Sequence, residues 1–551
     1  MELVEEIKKA VEFTKSGKVK DAEKIYLALL KDYPENSSIL SFLGLLYYNL
    51  GKLKKAEKYL EKSYNISNSK VISQYLGEIK YAFTKYESAK KFLEEAIETN
   101  NSIDIYKMLI NSYMHREEYH KAYEHVIKAQ KLYPFDEDLL GKLASCAFSI
   151  GKFDESENYN RKLLFMNPKS SIGWYNKGLF EEVINRDNEA ARYCFKMMGK
   201  YGNKLSAYLN IAISYGKHKD TRKKSYYYIK KIQKINPELR GLKFIVATYY
   251  LKQKMFNKGY KYYVQHEYFD QDRIDYYKKF KTEWKGGKFK NETLLVYGDQ
   301  GLGDQIQFSR YIPFLAKKFK KLKILVRKPL LDLFKRSFKS CKNAEFYPIE
   351  SNFPKFDKSV HLASSLYFLK MNYNNIPLTE GYLIVYDKKV KEFKDKYFNI
   401  DKKKVGICWE AGGAGIRDHI HRTLNVEYFE NIINNDSYEV YSLQKNPTLE
   451  NYKKYKEIID ISKDFEDFDD TSAAVKNLDI LITVDTSVAH VAGALGVKTF
   501  LILPYDSDWR WFDNTETTEW YDSVRIFKQE SVLDWQEVFD RIELELLNVF
   551  K

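Results

Sequence analysis

A glycine-broken turn in the second half of the chain is the first place where residue types suggest chemistry. Gly301 and Gly303 precede Asp304 in this turn, which follows the β-rich run 293–297. Glycines after a strand let the backbone approach a ligand, and the following helix start offers free N–H groups to an anion. Asp304 equally suits the N-cap of that helix. The turn alone therefore predicts either an anion site or an ordinary capped helix.

A second polar segment follows a buried strand, 479–484, and leads into a helix that includes His490. The segment consists of Asp485, Thr486, Ser487 and Val488. Two hydroxyl groups and several backbone N–H groups at a helix start suit a diphosphate. A cap formed by Asp485 or Thr486 explains the same residues, and both interpretations are compatible. His490 lies one turn into the helix, where it either approaches the phosphates or packs as a hydrogen-bonded core residue.

The elements that must position these segments alternate between strand and helix. After run 293–297, an amphipathic helix is expected over about 305–319, then a strand over 322–326, which makes a βαβ unit of a parallel sheet. A second set of apolar runs follows a link near 385–403. These runs are 404–409, 439–443, 478–484 and 498–503. We predict two Rossmann-like halves, residues 291–390 and 400–551, with ligands in the cleft beyond the strand carboxyl ends.

The first half of the chain shows a repeat of about 34 residues. Small residues recur in register at Ala22, Ala56, Ala89, Ala122, Ser156, Ala190, Ser225 and Gly259. Such spacing predicts pairs of helices that cross closely at the small residue and stack to bury their apolar faces. The pattern resembles the tetratricopeptide repeat and predicts an all-α superhelix of about eight units over residues 1–270. A capping helix and linker are expected over 271–290.

The two polar segments together, 298–311 and 484–496, resemble the lipopolysaccharide heptosyltransferases, glycosyltransferase family 9. More narrowly, the chain is similar to bacterial proteins that fuse tetratricopeptide repeats to such a transferase, the flagellin and protein O-glycosyltransferases. Trp284, the run 442–445, and Pro504 followed by 508–511 also match that group. The resemblance covers nearly the whole chain. It implies an α plus α/β protein whose transferase part has a GT-B-type fold.

The resemblance also implies roles for individual residues. Asp304 matches the proposed general base of the heptosyltransferases, which takes the proton from the acceptor hydroxyl as that hydroxyl attacks the anomeric carbon. Asp485 is then assigned to the donor sugar or to the orientation of its loop. The remaining donor-binding assignments are Gly301, Gly303, Thr486, Ser487, Val488 and His490. A capping or positioning role for Asp304 stays open.

Cations are needed as well, because departure of a nucleoside diphosphate builds negative charge on the leaving oxygen. Arg417, Arg422 and Lys445 all follow strands of the second half. We favour Lys445 for this catalytic role, with Gln444 beside it for the nucleotide. The acidic run 464–470 is predicted to form a helix N-terminus rather than a metal site. No metal or other cofactor is therefore expected.

The composition limits the classes of fold and function that are possible. The chain has 551 residues, 44% hydrophobic and 30% charged, as in globular proteins of more than one domain. The net charge of +15 comes mostly from lysines interleaved with acidic residues, which indicates a solvated surface rather than a nucleic-acid interface. We find neither a signal peptide nor a membrane span in the sequence. A cytoplasmic protein is expected.

Three functions remain in view. The first is an inverting, metal-independent O-glycosyltransferase that moves a sugar from a nucleotide-sugar to Ser or Thr of an acceptor protein, such as flagellin or another surface protein, held in the repeat groove. The second is transfer to a lipopolysaccharide or other saccharide acceptor. The third is a non-catalytic repeat scaffold with a vestigial transferase domain. The identity of the donor is not encoded in these motifs.

Overall fold

The structure, a computed structural model, describes residues 2–239, 241–264, 283–298, 301–349, 355–412, 416–448, 450–513 and 516–551. Side chains of residues 2, 417, 418, 450 and 451 lie outside this description. Of the described residues, 2–176 form one compact unit and 177–551 a second one. Within the described part, none of the helices combines the length and apolar character that a membrane crossing needs. The expected capping helix and linker, 271–290, lie largely outside the described residues.

The first unit consists of antiparallel helix pairs. Small residues let the two helices of a pair approach closely: a Cβ on Gly44 would lie 2.6 Å from Cγ of Leu60 on the partner helix. Ala56, one repeat after Ala22, is fully buried at the same kind of crossing. The helices are α1 (Glu2–Lys15), α2 (Val19–Asp32), α3 (Ser37–Asn49), α4 (Leu53–Ser67), α5 (Lys70–Ala82), α6 (Tyr86–Ile97), α7 (Ile103–His115), α8 (Tyr119–Leu132), α9 (Glu137–Ser149), α10 (Phe153–Met166) and α11 (Ser171–Val183), the last of which ends in the second unit.

The second unit begins with five more helices of the repeat series. They are α12 (Asn188–Tyr201), α13 (Lys204–Gly216), α14 (Arg222–Ile235), α15 (Leu242–Leu251) and α16 (Phe256–Tyr263). Phe256 and Tyr260 of the last helix share one apolar core with the sheets described below, where their rings lie 6.1 Å from those of Trp520 and Trp509. These repeats are therefore built into the sheet-bearing unit.

The first sheet has four parallel strands in the order β3-β2-β1-β4. Its strands are β1 (Phe289–Tyr297), β2 (Phe319–Val326), β3 (Ala344–Pro348) and β4 (Lys358–His361). The helices between and after them are α17 (Leu302–Ser309), α18 (Ile312–Ala316), α19 (Leu331–Ser337), α20 (Ser365–Phe368) and α21 (Asp387–Tyr397). The order reverses between β1 and β4, so a crevice opens where the chain leaves β1 at Gly298.

The second sheet has six parallel strands in the order β10-β9-β8-β5-β6-β7. They are β5 (Lys403–Cys408), β6 (Tyr438–Ser442), β7 (Ile458–Asp460), β8 (Ile480–Val484), β9 (Thr499–Leu503) and β10 (Val524–Lys528). The helices are α22 (Ile416–Arg422), α23 (Glu430–Ile433), α24 (Phe468–Lys476), α25 (Ser487–Leu495) and α26 (Gln536–Phe550). Counted from β5, this is the 3-2-1-4-5-6 order of Rossmann folds, with its switch point between β5 and β8.

One predicted element differs from the structure. The single helix expected over about 305–319 is two short helices, α17 and α18, separated at Arg310 and Tyr311, and Phe319 already belongs to β2. Pro313 lies at the start of α18 and has no N–H group to continue the hydrogen bonds of α17. The break turns Arg310 inward, where its Nη1 donates to the carbonyl oxygen of Trp520 at 2.7 Å.

Candidate functional site

The carboxyl ends of both sheets border one cavity of about 1020 Å³ in the second unit. Helices α13 and α15 of the repeat series form another part of its wall. The predicted site residues that line it are Gly301, Gly303, Asp304, Arg422, Gln444, Lys445, Asp485, Thr486, Ser487, Val488 and His490. The side chain of Arg417 and the loop 413–415 lie outside the described residues. The structure thus brings both polar segments to one place.

Two helix N-termini, one from each sheet, meet at this cavity. A Cβ on Gly303, in the first turn of α17, would lie 3.5 Å from Cα of Ser487, the first residue of α25. The same Cβ would be 2.7 Å from Cδ2 of His490, so only glycine allows the two first turns to approach this closely. Both helix starts carry partial positive charge and unpaired N–H groups. The geometry suits an anion bound between the two halves.

Thr486 is the N-cap of α25. Its hydroxyl oxygen accepts a hydrogen bond from the N–H of Val488 at 3.2 Å. Arg422 fixes the loop just before this cap, because its Nη1 donates to the backbone carbonyl oxygen of Asp485 at 3.1 Å. The capping interpretation is therefore correct for Thr486, and the residue also lines the cavity.

The carboxyl group of Asp485 is buried at the switch point of the second sheet. Burial raises its pKa to about 6, and Arg422 opposes this shift only in part. Nearby Asp508 raises the pKa further. A carboxyl group with this pKa carries a proton at mildly acidic pH, so it donates a hydrogen bond there and accepts one at higher pH.

His490 is a packed, neutral side chain that also borders the cavity. Burial, and to a lesser degree the charge of Arg510, lowers its pKa to about 3. Its Nδ1 forms a hydrogen bond of 2.9 Å with the hydroxyl of Tyr521, and its ring stacks on Trp511 at 5.3 Å. A neutral imidazole offers hydrogen bonds but no positive charge to a phosphate.

Asp304 lies at the third position of α17 and is not the N-cap, a place that Gly301 takes. Its Oδ2 accepts a hydrogen bond from the N–H of Gly301 at 3.2 Å. Its Oδ1 pairs with Nη2 of Arg510 at 2.5 Å. One oxygen of the carboxylate therefore accepts a hydrogen bond at the start of its own helix, and the other pairs with an arginine from the six-stranded half of the unit.

Gln444 and Lys445 are both engaged by the protein. The amide oxygen of Gln444 accepts from the N–H groups of Trp409 at 3.2 Å and Glu410 at 2.8 Å. Gln444 thus links the ends of β5 and β6. The ammonium group of Lys445 donates to the carbonyl oxygen of Phe465. A contact between Lys445 and a phosphate would need this hydrogen bond to exchange.

Several cavity residues have no role assigned in the sequence analysis, although Asp508 and Arg510 lie in the run 508–511 that carries the resemblance. Those with charged side chains are Lys217, Lys252, Glu410, Asp506, Asp508 and Arg510. The segment that contains the last three follows β9, and the rule that ligands lie beyond strand carboxyl ends would have singled it out. Lys217 and Lys252 belong to the repeats, and only the packing of those repeats onto the sheets brings them here. Among the described residues, no group of three His, Cys, Asp or Glu side chains converges as a metal site requires.

Comparisons with known proteins find similarity over part of the chain. Residues 7–69 match the model of the tetratricopeptide repeat family, so the N-terminal part carries tetratricopeptide repeats. Protein FlbA of Caulobacter vibrioides is 23% identical over 291 residues, which are 48% of this chain and 48% of FlbA. The chain thus spans about half of that relative's length.

Two solved structures align with about a third of this chain. The crystal structure of YrrB, a TPR protein with an unusual peptide-binding site, is 16% identical and aligns with 33% of this chain and 94% of its own, with a TM-score of 0.29. A crystal structure of MamA protein is 24% identical and aligns with 30% of this chain and 92% of the MamA chain, with a TM-score of 0.27.

Proposed function

We propose that this chain is an inverting glycosyltransferase that moves a sugar from a nucleotide-sugar to a Ser or Thr hydroxyl of an acceptor protein. One observation carries the proposal. The first turns of α17 and α25, from two facing parallel sheets, meet at a single cavity that also holds Asp304. This arrangement combines an anion site with a carboxylate able to accept a proton.

The donor diphosphate binds at the N-terminus of α25. Ser487 offers its backbone N–H group there, Thr486 adds a hydroxyl, and the N–H of Val488 becomes available when its hydrogen bond to that hydroxyl exchanges. Arg422 and Lys445 border the same cavity and supply fixed positive charge for the leaving nucleoside diphosphate. In this proposal no metal ion is required, because these cations and the helix dipole neutralise the charge.

Asp304 acts as the general base on the opposite side of the cavity. Its carboxylate accepts the proton of the acceptor hydroxyl while the hydroxyl oxygen bonds to the anomeric carbon and the bond to the diphosphate breaks. Arg510 holds one carboxylate oxygen in place through the ion pair described above. Direct displacement of this kind inverts the anomeric centre.

The repeats favour a protein as the acceptor. Stacked helical pairs present an extended surface for a peptide or a protein partner, far larger than a saccharide needs. The described part of the first unit alone contributes ten complete helices, α1 to α10. Flagellin or another surface protein is the kind of acceptor we propose. The similarity to FlbA specifies neither a donor nor an acceptor for this proposal.

A panel of nucleotide-sugars tests the proposal. A donor that binds only the folded chain raises the unfolding temperature of the protein. The nucleotide-sugar that produces this increase is the donor. Release of the nucleoside diphosphate from that donor then reports catalysis. We expect one class of donor to stabilise the chain and to be hydrolysed slowly in the absence of acceptor. Binding without any hydrolysis or transfer would favour the scaffold function instead.

A further inference from the structure

Residues from one face of α13 and one face of α15 form the helical wall of the cavity. The cavity-lining residues of α15 are Phe244, Ile245, Thr248 and Tyr249, and Lys252 is the C-cap of the helix; their spacing places all five on one face. On α13, Ala212, Ile213, Gly216 and the adjoining Lys217 repeat this spacing. Both α13 and α15 are the first helices of their pairs. The side of the repeats that carries first helices thus opens directly into the cavity.

Lys252 differs from the other cavity-lining cations in the described part of the chain. Each of the others has a close partner: Lys217 with Glu182 at 3.1 Å, Arg422 with the carbonyl oxygen of Asp485 at 3.1 Å, Lys445 with the carbonyl oxygen of Phe465, and Arg510 with Asp304 at 2.5 Å. Within that same part, the ammonium group of Lys252 makes neither a hydrogen bond nor an ion pair. It is the cation that remains available to a ligand.

The carboxylates near Lys252 do not pair directly with its ammonium group. Three of them act on its charge from a distance, and each is ion-paired with another residue: Asp506 with Lys217 at 3.5 Å, Asp508 with Arg510 at 2.8 Å, and Asp513 with Arg222 at 2.6 Å. Burial lowers the pKa of the Lys252 amine in spite of their attraction. Lys252 is half-buried, so a cavity ligand that carries negative charge would gain an ion pair with an ammonium group that has no close counter-ion.

We propose that Lys252 forms an anion-binding subsite on the helical wall, which binds a phosphate or carboxylate group of the substrate. The hydroxyl-bearing side chains of Thr248 and Tyr249 lie on the same helix face and extend the subsite. Only the identity of the substrate rests on the proposed function. The anion belongs either to the nucleotide-sugar or to an acidic residue of the acceptor beside the reacting hydroxyl.

The test measures thermal unfolding of the full-length chain with and without inorganic pyrophosphate. Lys252→Met removes the charge but keeps much of the side-chain volume. Without pyrophosphate we expect this variant to unfold at the same or a higher temperature than the parent, because a half-buried charge without a close counter-ion is gone. With pyrophosphate at about ten times its dissociation constant, the parent should gain about 1.4 kcal/mol, and Lys252→Met should lose most of this gain.

Lys258→Met is the matched control, since Lys258 is exposed on the neighbouring helix α16. It should keep the full pyrophosphate effect, and Lys252→Arg should restore most of it. The proposal is overturned if pyrophosphate stabilises Lys252→Met as much as the parent, or if it stabilises neither. The first result would place the diphosphate at the helix N-termini alone, and the second would show that the cavity does not bind a diphosphate.

Two further ligands identify the source of the anion. A nucleoside diphosphate series represents the donor, and a short glutamate-containing peptide represents the acceptor. The ligand whose stabilisation depends on Lys252 is the one that supplies the anion. A chain that shows this dependence yet transfers no sugar would refute the proposed function and leave the subsite intact. An active transferase without the dependence would refute the subsite only.

Discussion

Arg510 and Asp304 join the two sheets of the second unit across the cavity, with Nη2 and Oδ1 2.5 Å apart. The arginine follows β9 of the six-stranded sheet, and the aspartate begins the helix after β1 of the four-stranded sheet. Nη1 of Arg510 also pairs with Asp508 at 2.8 Å. One guanidinium group therefore orients the proposed base and holds a neighbouring loop.

Loss of this guanidinium should destabilise the fold. Arg510→Gln leaves the mostly buried carboxylate of Asp304 and the more exposed carboxylate of Asp508 without their cation, and we expect the free energy of unfolding to fall by about 3 kcal/mol. Urea denaturation measures the change. Arg525→Gln is the control, because Arg525 pairs with Glu545 while its own side chain is 46% exposed. A surface pair of this kind contributes at most about 1 kcal/mol. Equal effects of the two substitutions would contradict the bridging role.

The close approach of the two first turns predicts a specific sensitivity at Gly303. Gly303→Ala places a Cβ 2.7 Å from the His490 ring and so forces α17 and α25 apart. We expect donor affinity to fall by about tenfold or more, with a lower unfolding temperature. Gly412→Ala serves for comparison, because its added Cβ meets no heavy atom within 4 Å. If Gly303→Ala binds the donor like the parent, the two helix starts do not form the site.

Asp485 gives a pH dependence whose direction follows from its pKa. The folded chain holds the proton up to about pH 6, whereas the unfolded chain releases it near the ordinary value of 3.8. Between these values the folded state binds more protons, so this residue costs stability as the pH rises. Asp485→Asn should therefore be about 2 to 3 kcal/mol more stable than the parent at pH 7.5 and similar to it near pH 4.

The measurement is denaturant unfolding of both chains from pH 4 to pH 8. A constant difference across this range would show that Asp485 does not titrate as described. The same variant should bind the donor less well, because an ionised or hydrogen-bonding carboxyl group at the switch point is replaced by an amide.

The division of the repeats predicts different outcomes for two truncations. Removal of residues 1–169 leaves α11 and the second unit whole, so donor binding should persist while transfer to a protein acceptor is lost. Removal of residues 1–270 deletes Phe256 and Tyr260 and exposes the core residues that they contact, including Trp509 and Trp520. The remaining chain should therefore aggregate. Size-exclusion chromatography and the donor thermal shift distinguish the outcomes. A stable, donor-binding product of the longer truncation would contradict the shared core.

The sequence predicts the periodic features and the residues that directly follow strands. Asp304 and Asp485 were found because each stands just beyond a β-rich run, where parallel sheets place ligands. Arg510 lies in the run 508–511 that carries the resemblance, but its role was not predicted because that role depends on a loop that folds back across the cavity. Lys252 was missed because a lysine on a repeat helix resembles every other solvated lysine until the helix is packed. Contacts between distant segments leave no local pattern in the chain.

The most direct test of the proposed function is the transfer of radiolabelled sugar to acceptor protein by Asp304→Asn. This change removes the proton acceptor and keeps the shape of the side chain. Transfer should fall by about a hundredfold or more while donor binding is unchanged. Asp332→Asn, at a side chain that is 67% exposed on α19, should transfer at the parent rate. Transfer by Asp304→Asn at the rate of Asp332→Asn would show that Asp304 is not the base and would contradict the account.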